Sequence, residues 1–429
     1  MPVALPRTVV VSLLLPPETQ VILQGDATSA SPDPNSASRD SNSLPGGAVR
    51  VAFNATSIPV DATNLQLKNG FGLGPSTGPV KNNFWSRNWS RGTGPFCSSL
   101  PRIRVDAPSI PIDAGPIPGD ATANRVIPNI PIDARWSQNG MTVAGGNGEG
   151  NAINQLNGPF GLFVDDDQTM IIADYRNHRI VQWKMGDTSG QVIAGGKSQG
   201  NRLDQLNGPT DVLIDKETDS LIICDRDNGR VVRWSRRSGT TRGQILIDNI
   251  NCYGLFMDDQ RYLYVSDTEK HEVRRYQIGD KNGIIVAGGN GRGAGLNQLN
   301  WPTYIFVDQQ QTVYVSDNRN HRVMKWNKGA KEGIAIAGGQ SEGNARTQLS
   351  HPNGLFVDTL GTIYVADSVN DRVMRWPKGA KQGTVIVSGN RQGVGANQFN
   401  HPDGLFFNRQ GNLYVVDFLN NRVQFFSIQ

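Results

Sequence analysis

The sequence predicts an all-β fold, a six-bladed β-propeller of four-stranded antiparallel blades, and three observations carry that expectation. A pattern of about 50 residues recurs six times between Trp136 and Gln429, each copy holds four short β-rich runs, and one unpaired run of the fourth kind stands ahead of the first copy.

The repeat can be followed on single residues. Tyr314-Val-Ser-Asp317 leads to Asn320-His-Arg-Val323 and Trp326, and the same order reads Ile172-Ala-Asp174, Asn177-His-Arg-Ile180 and Trp183. The aspartates at 174, 225, 267, 317, 367 and 417 are 51, 42, 50, 50 and 50 residues apart. An aromatic always stands nine residues later, as Trp183, Trp234, Tyr276, Trp326, Trp376 and Phe426.

Each copy resolves into strands taken in order. Gly354–Asp358 is nearly continuous apolar sequence, as an inner strand covered on both faces requires. Thr362–Asp367 follows as the second strand. Arg372–Trp376 is the third, with Val373 and Trp376 expected toward neighbouring blades and Arg375 toward water. Thr384–Ser388 is the fourth. All are rich in β-branched and aromatic residues and bounded by Gly, Pro, Asn or Asp. Fourth strands occur at Gln191–Ala194, Gln244–Ile247, Gly283–Ala287, Gly333–Ala337 and Thr384–Val387, and the chain stops after the sixth third strand. Met141–Gly145 is therefore expected to complete the last blade from the N-terminal side, leaving no open sheet edge at the closure. The 49 glycines fall into this scheme, ending fourth strands at Gly145, Gly195, Gly288 and Gly338 and opening first strands at Gly161, Gly254, Gly354 and Gly404. At the latter a Cβ would crowd the approach to the axis.

Residues 1–135 read differently. They are rich in Pro, Ser, Asn and Asp, show no sustained period, and include Thr28–Ser43, which has almost nothing to bury, so a mostly disordered extension is expected before the propeller of 136–429. The string Ile-Pro-x-Asp-Ala recurs there at Ile58, Ile110, Ile117 and Ile130, as extended spacers expected to lead into the ring or lie along its surface.

Composition removes several function classes. No run approaches the ~18 apolar residues of a membrane span. The 1–135 part carries 11 basic and 9 acidic residues and the rest 31 and 29, so neither is a general polyanion binder. Cys97, Cys224 and Cys252 are too few for a disulfide framework or a Cys-rich zinc module, and Cys224 and Cys252 read as two buried thiols in preference to a bridge. The compartment is left open, with the cytoplasm favoured. Secretion is the alternative, resting on a signal-like stretch Thr8–Leu15 and sequons at Asn54 and Asn88. Gly196-Lys-Ser198 lacks the glycine a phosphate loop needs, and no Gly-x-Ser-x-Gly elbow occurs.

The triplets Asn177-His-Arg179 and Asn320-His-Arg322, together with Pro352-Asn-Gly-Leu-Phe-Val-Asp358 and the Tyr-Val-x-Asp segments, resemble NHL repeats over 136–429. The lead-ins Val143-Ala-Gly-Gly-Asn-Gly-Glu-Gly150 and Val286-Ala-Gly-Gly-Asn-Gly-Arg-Gly293 resemble metazoan multi-repeat NHL proteins. The resemblance implies an interaction platform. Nothing in 1–135 resembles the RING or B-box modules joined to some NHL propellers, so ubiquitin-ligase activity does not carry over. Blade two departs from the pattern by lacking the Ala-Gly-Gly end and eight linker residues, and blade three has Glu272 where the others have Arg.

Recurring groups read as structural. Asp174/Arg179, Asp225/Arg230, Asp317/Arg322, Asp367/Arg372 and Asp417/Arg422 bracket a hairpin that a carboxylate–guanidinium contact would fix. Asp165-Asp-Asp167 reads as a solvated turn. Among five histidines only His351 and His401 are placed to converge, and two ligands do not make a zinc site of the usual kind, so no metal and no cofactor are expected. Function is expected where the six-fold pattern breaks, on the face shared by the hairpins and the inner-strand entries. The candidate partner-binding residues there are Tyr175, Arg176, Arg226, Tyr253, Lys270, Trp301, Tyr304, Arg319, His351, His401 and Phe418. The counter-reading is that the aromatics plug the channel. The expected partner of this monomeric, non-enzymatic scaffold is a protein or peptide. Single-stranded RNA is the alternative, and a metal-dependent lyase or lactonase the third reading. Deleting residues 136–150 is expected to open the ring, seen as a melting temperature clearly below that of the full chain.

Overall fold

Among the residues that the computed structural model describes, 127–237, 239–389 and 391–429, the chain forms six four-stranded antiparallel sheets. They are blade 1 (159–195), blade 2 (209–248), blade 3 (252–288), blade 4 (302–338), blade 5 (352–388) and blade 6 (402–426 with Met141–Gly145). Met141–Gly145 pairs antiparallel with Arg422–Phe426, Met141 opposite Phe425 and Gly145 opposite Arg422, so the last blade takes its outer strand from the N-terminal side. Each inner strand packs on the next, and the sixth on the first. Most of the 1–135 extension, Cys97 and both sequons lie outside the described residues. Among the described residues no helix is long and apolar enough to cross a membrane.

The ladders set two faces. Pro352 lies opposite Asp367, Asp367 opposite Arg372 and Arg372 opposite Ser388. Inner-strand starts, the hairpins and the blade-to-blade linkers therefore share one face, called here the hairpin face, and the tight turns after inner strands lie on the other. Near the axis the backbones almost touch: a Cβ on Gly254 would stand 2.6 Å from the Thr303 carbonyl oxygen and 2.9 Å from Tyr304 Cα. The third strands alternate less than expected. Arg372, Val373, Met374 and Trp376 are all buried and only Arg375 is partly exposed, because adjacent blades cover both sides of the sheet.

One polar cluster recurs at the head of the blades. In blade 4 Asp317 Oδ1 accepts the Asn300 amide at 2.7 Å, and its Oδ2 accepts Asn320 Nδ2 at 2.8 Å and Arg322 Nε at 2.7 Å. Arg322 then donates to the linker carbonyls of Ala294, Gly295 and Gln298 at 2.9, 3.0 and 3.2 Å. The cluster thus ties hairpin, third strand and incoming linker together, and Asp174, Asp225, Asp367 and Asp417 do the same with their arginines. Blade 3 shows why Glu272 breaks the pattern. Its incoming linker is three residues, Asn249 to Asn251, so the carbonyls that an arginine would need are missing. Glu272 pairs instead with Arg274.

A second device joins blades. The residue that closes each of these hairpin turns is left-handed, and in five blades its side chain accepts the amide of the residue that opens the next blade. His178 Nδ1 accepts Gly208, His271 Nδ1 accepts Trp301, His321 Nδ1 accepts His351, Asp371 Oδ1 accepts His401 and Asn421 Oδ1 accepts Gly158. Blade 2 has Gly229 at this place, with no side chain to accept that amide, although its carbonyl accepts the Ile250 amide at 3.0 Å. At that junction Cys224 and Cys252 form a disulfide, correcting the expectation of two free thiols. Cys224 is next to last in the second strand Ser220–Asp225 and Cys252 opens the next inner strand, which sets their Cα atoms 5.8 Å apart, within bridging distance.

The chain enters the ring on the face opposite the hairpins. Ile130 and Trp136 are each 1% exposed, Trp136 Nε1 donates to the Gly411 carbonyl at 2.9 Å, and the Trp136 ring packs edge-on against Tyr364 and Phe407. The packed ring thus takes in residues before Trp136, the last Ile-Pro-x-Asp-Ala copy among them.

Replacing Arg322 by Met is expected to destabilise the protein by about 3–5 kcal/mol, because it strands the buried Asp317 and three linker carbonyls. Denaturant unfolding measures this, with Arg319→Ala, an exposed neighbour, changing stability by no more than about 0.5 kcal/mol.

Candidate functional site

The residue after the entry position of each inner strand faces the channel mouth: Phe160, Thr210, Tyr253, Thr303, Asn353 and Asp403 in blade order. Three of these, Tyr253, Asn353 and Asp403, join Tyr304 and Asn318 in one network that the six-fold pattern does not repeat. Tyr253 and Tyr304 hydroxyls donate to Asp403 at 3.2 and 2.6 Å, Asn353 Nδ2 donates to it at 2.8 Å, and Asn318 Nδ2 donates to Asn353 Oδ1 at 2.9 Å. Burial pushes Asp403 up to about 7 against the pull of the two tyrosine hydroxyls. Both tyrosines are raised well above their ordinary value, first by burial and then by the Asp403 charge. Beside the network a cavity of about 60 Å³ is lined by Asp211 and Tyr304 together with Leu162, Leu213, Phe256 and Leu355. Tyr253 and Tyr304, 6% and 8% exposed, therefore close the channel and do not stand out as exposed anchors.

Around this plug the other candidates form an arc of rings and guanidinium groups across blades 6, 1, 2, 3 and 4. Phe418 stacks on Phe160 at 4.9 Å with Arg176 5.3 Å from its centre, and Phe160 packs edge-on against Tyr175 and, tilted, against Tyr253. Arg226 lies over Tyr253 and Trp301 at 5.7 and 5.3 Å, and Arg319 over Trp301 at 4.0 Å. Arg176, Arg226 and Arg319 come from the 3-10 turns Tyr175–Asn177, Arg226–Asn228 and Asn318–Asn320, whose flanking Asp and terminal Asn belong to the recurring cluster, so the turn is held rigid beneath each cation. Tyr175 donates to Asp227 at 3.3 Å, and its hydroxyl is raised by burial and by that carboxylate. Lys270 stands apart from the arc, donating to the Asn249 carbonyl. Trp301 sits at φ 60°, as His351 and His401 do at 50° and 56°, where blades 1 and 2 use Gly158 and Gly208. A bulky residue in that region costs about 1–3 kcal/mol, so the rim keeps its Trp against a backbone preference.

His351 and His401 do not pair as expected. His351 meets His321, with ring centres 4.6 Å apart, and Glu342, while His401 bonds Asn400. Glu342, in the linker, went unrecognised because nothing in its spacing marks it. Its donor atoms lie within 4.8 Å of those of the two histidines, a spacing that would admit a metal ion. The donor chemistry does not fit one. His321 Nδ1 accepts the His351 amide, so its neutral ring carries the proton on Nε2, the nitrogen that faces Glu342. A metal-bound histidine needs the reverse, a lone pair toward the metal and an N–H toward an acceptor. Burial and the neighbouring His321 hold His351 below its usual value, and a Ser350 hydrogen bond holds Glu342 low.

No family model matches this sequence, and no curated protein does. Solved structures match in fold. A Bacteroides thetaiotaomicron protein of unknown function is 15% identical, with TM-score 0.55 over 69% of this chain and 77% of its own. An auxiliary nutrient binding protein from the same organism is 14% identical, with TM-score 0.54 over 68% and 77%. A streptogramin B lyase aligns with TM-score 0.45 at 9% identity over 66% of this chain and 97% of its own. At these identities the likeness is one of fold.

The elevated Asp403 has a defined pH signature. Its folded value of about 7 lies above the ~3.9 of an unfolded Asp, so the folded chain holds the extra proton. Its contribution to stability is complete below about pH 4 and is lost as pH rises toward 7. Asp403→Asn is expected to remove that loss, gaining on the wild type between pH 4 and 7 in thermal melts.

Proposed function

We propose that the hairpin face binds a protein or peptide segment and performs no chemistry on it. The observation that carries this reading is the arc from Arg176 through Phe418, Phe160 and Tyr253 to Arg226, Trp301 and Arg319. Aromatic and arginine residues clustered on a rigid rim are what dominates protein interfaces. Arg176 and Arg319 are exposed, and Arg226 Nε, buried between rings, has no hydrogen-bond acceptor among the described residues. A carboxylate or backbone carbonyl of a partner segment would supply one. A structural neighbour named as a nutrient binding protein is in keeping with a binding role for the fold. The Asn-His-Arg hairpins support assignment to NHL-type propellers, whose platform role is the same. The Cys224–Cys252 bridge favours an oxidising compartment.

Single-stranded RNA remains the competing reading because of the three arginines. It fits less well: bases need free aromatic faces, whereas Phe418 has Phe160 stacked on it and Arg176 over it, and Trp301 has two guanidinium groups over it. A metal-dependent enzyme finds no support in the His321, Glu342 and His351 set. Trp301→Ala with Arg319→Ala is expected to weaken capture of the partner by the full chain roughly 30-fold or more without lowering its melting temperature. Salt-sensitive binding of oligo-uridine, abolished by the same pair, would transfer the reading to RNA.

A further inference from the structure

The face opposite the hairpins holds a seat for the Ile-Pro-x-Asp-Ala string, and the fold contains that seat twice. In the occupied seat, between blades 5 and 6, Ile130 is buried beside Gly411, Thr359 Oγ1 donates to Asn129 Oδ1 at 3.2 Å, and Arg375 Nη1 donates to the Ala134 carbonyl at 3.0 Å. Trp136 then fills the space between Tyr364 and Phe407. The corresponding groove between blades 4 and 5, about 1010 Å³, is lined by Tyr314, Lys325, Val357, Gly361 and Trp376, with Ile127 at its border. Tyr314 faces Lys325 across its ladder as Tyr364 faces Arg375, so a cation stands at the place that grips Ala134.

Gly361 and Gly411 are the decisive pair. Blades 1, 3 and 4 have Gln168, Arg261 and Gln311 at this turn position with φ of 65°, 61° and 58°, so the backbone there does not demand glycine. What glycine provides is room. At Gly411 an added Cβ would lie 3.0 Å from Ile428 Cδ1 and 3.7 Å from Ile130 Cγ1, and at Gly361 it would lie 3.3 Å from Cδ of the flexible Lys378 side chain. Between blades 3 and 4 the same place is taken by Gln311, which accepts a hydrogen bond from Arg275.

We infer that the groove between blades 4 and 5 receives the preceding copy of the string, Ile117-Pro-Gly-Asp-Ala121, from the same chain. Reach is not limiting: Ala121 is six residues upstream of Ile127, which already borders the groove, and six residues span up to about 20 Å. Charge agrees, since Lys325, Lys328, Lys378 and Lys381 outnumber Asp308 and Asp358 in the groove lining and the string carries Asp120. Ile117 enters beside Gly361, and the Ala121 carbonyl meets Lys325. The N-terminal chain thereby staples two consecutive blade junctions on the face away from the partner-binding arc.

Cross-linking in the full-length chain tests this, with Cys97→Ser throughout and a short bismaleimide as the probe. Ala134→Cys with Arg375→Cys is the reference, since its seat is occupied. Ala121→Cys with Lys325→Cys is expected to join within one chain at a rate close to the reference, and Ile117→Asp to slow it at least tenfold while leaving the reference pair unaffected. A rate no greater than that of Ala62→Cys with Lys325→Cys overturns the inference, as does indifference to Ile117→Asp. Joining between two chains overturns it in favour of a second copy as occupant.

Discussion

The ring rests on a buried carboxylate shared by an amide, a guanidinium and a linker N–H. A blade of four short strands buries little by itself, and the long linkers carry polar backbone that must be satisfied. Asp317, Asn320 and Arg322 satisfy it by binding four linker carbonyls and one linker amide in a single cluster, and the arrangement recurs at Asp174, Asp225, Asp367 and Asp417. Because the cluster grips both ends of the 3-10 turn, it also holds Arg176, Arg226 and Arg319 at the rim. The binding arc inherits its rigidity from a structural interaction beneath it.

Blade 3 shows the same logic by its exception. A three-residue linker leaves no carbonyls for a guanidinium, and Glu272 stands where arginine would be stranded. Beside it, Gly229 supplies no side-chain acceptor at the junction, and the Cys224–Cys252 bridge joins the blades covalently at that point. The irregular spacing of the second repeat, the missing arginine and the two cysteines are one local solution. The histidines belong to this account as well. His178, His271 and His321 use Nδ1 as junction acceptors, which commits that nitrogen of each ring to joining blades.

Blade number and the Asp–Arg pairing were legible because each is a relation between residues a few positions apart, repeated in six copies and in five, and the strand contributed from the N-terminal side was legible because the sixth copy lacks a fourth-strand run of its own. Of the candidate site, Trp301, Arg319, Arg226, Arg176, Tyr175 and Phe418 come together in one arc. Tyr253 and Tyr304 turn inward, since the partner that draws them, Asp403, is 150 and 99 residues away. Lys270 faces a linker carbonyl and His351 meets Glu342, contacts for which no local pattern exists.

The architecture follows from the sequence alone, because a strand-length period, turn residues and a polar pair present in five of the six repeats act locally and need no knowledge of the neighbours. Only the tertiary structure decided which aromatics seal the channel and which stay on the rim, that Cys224 and Cys252 bridge, and that Ile130 belongs to the core. Those outcomes depend on closing the ring. Closure brings inner strands to within van der Waals distance, so that side chains a whole repeat or more apart compete for the same space and the same carboxylate.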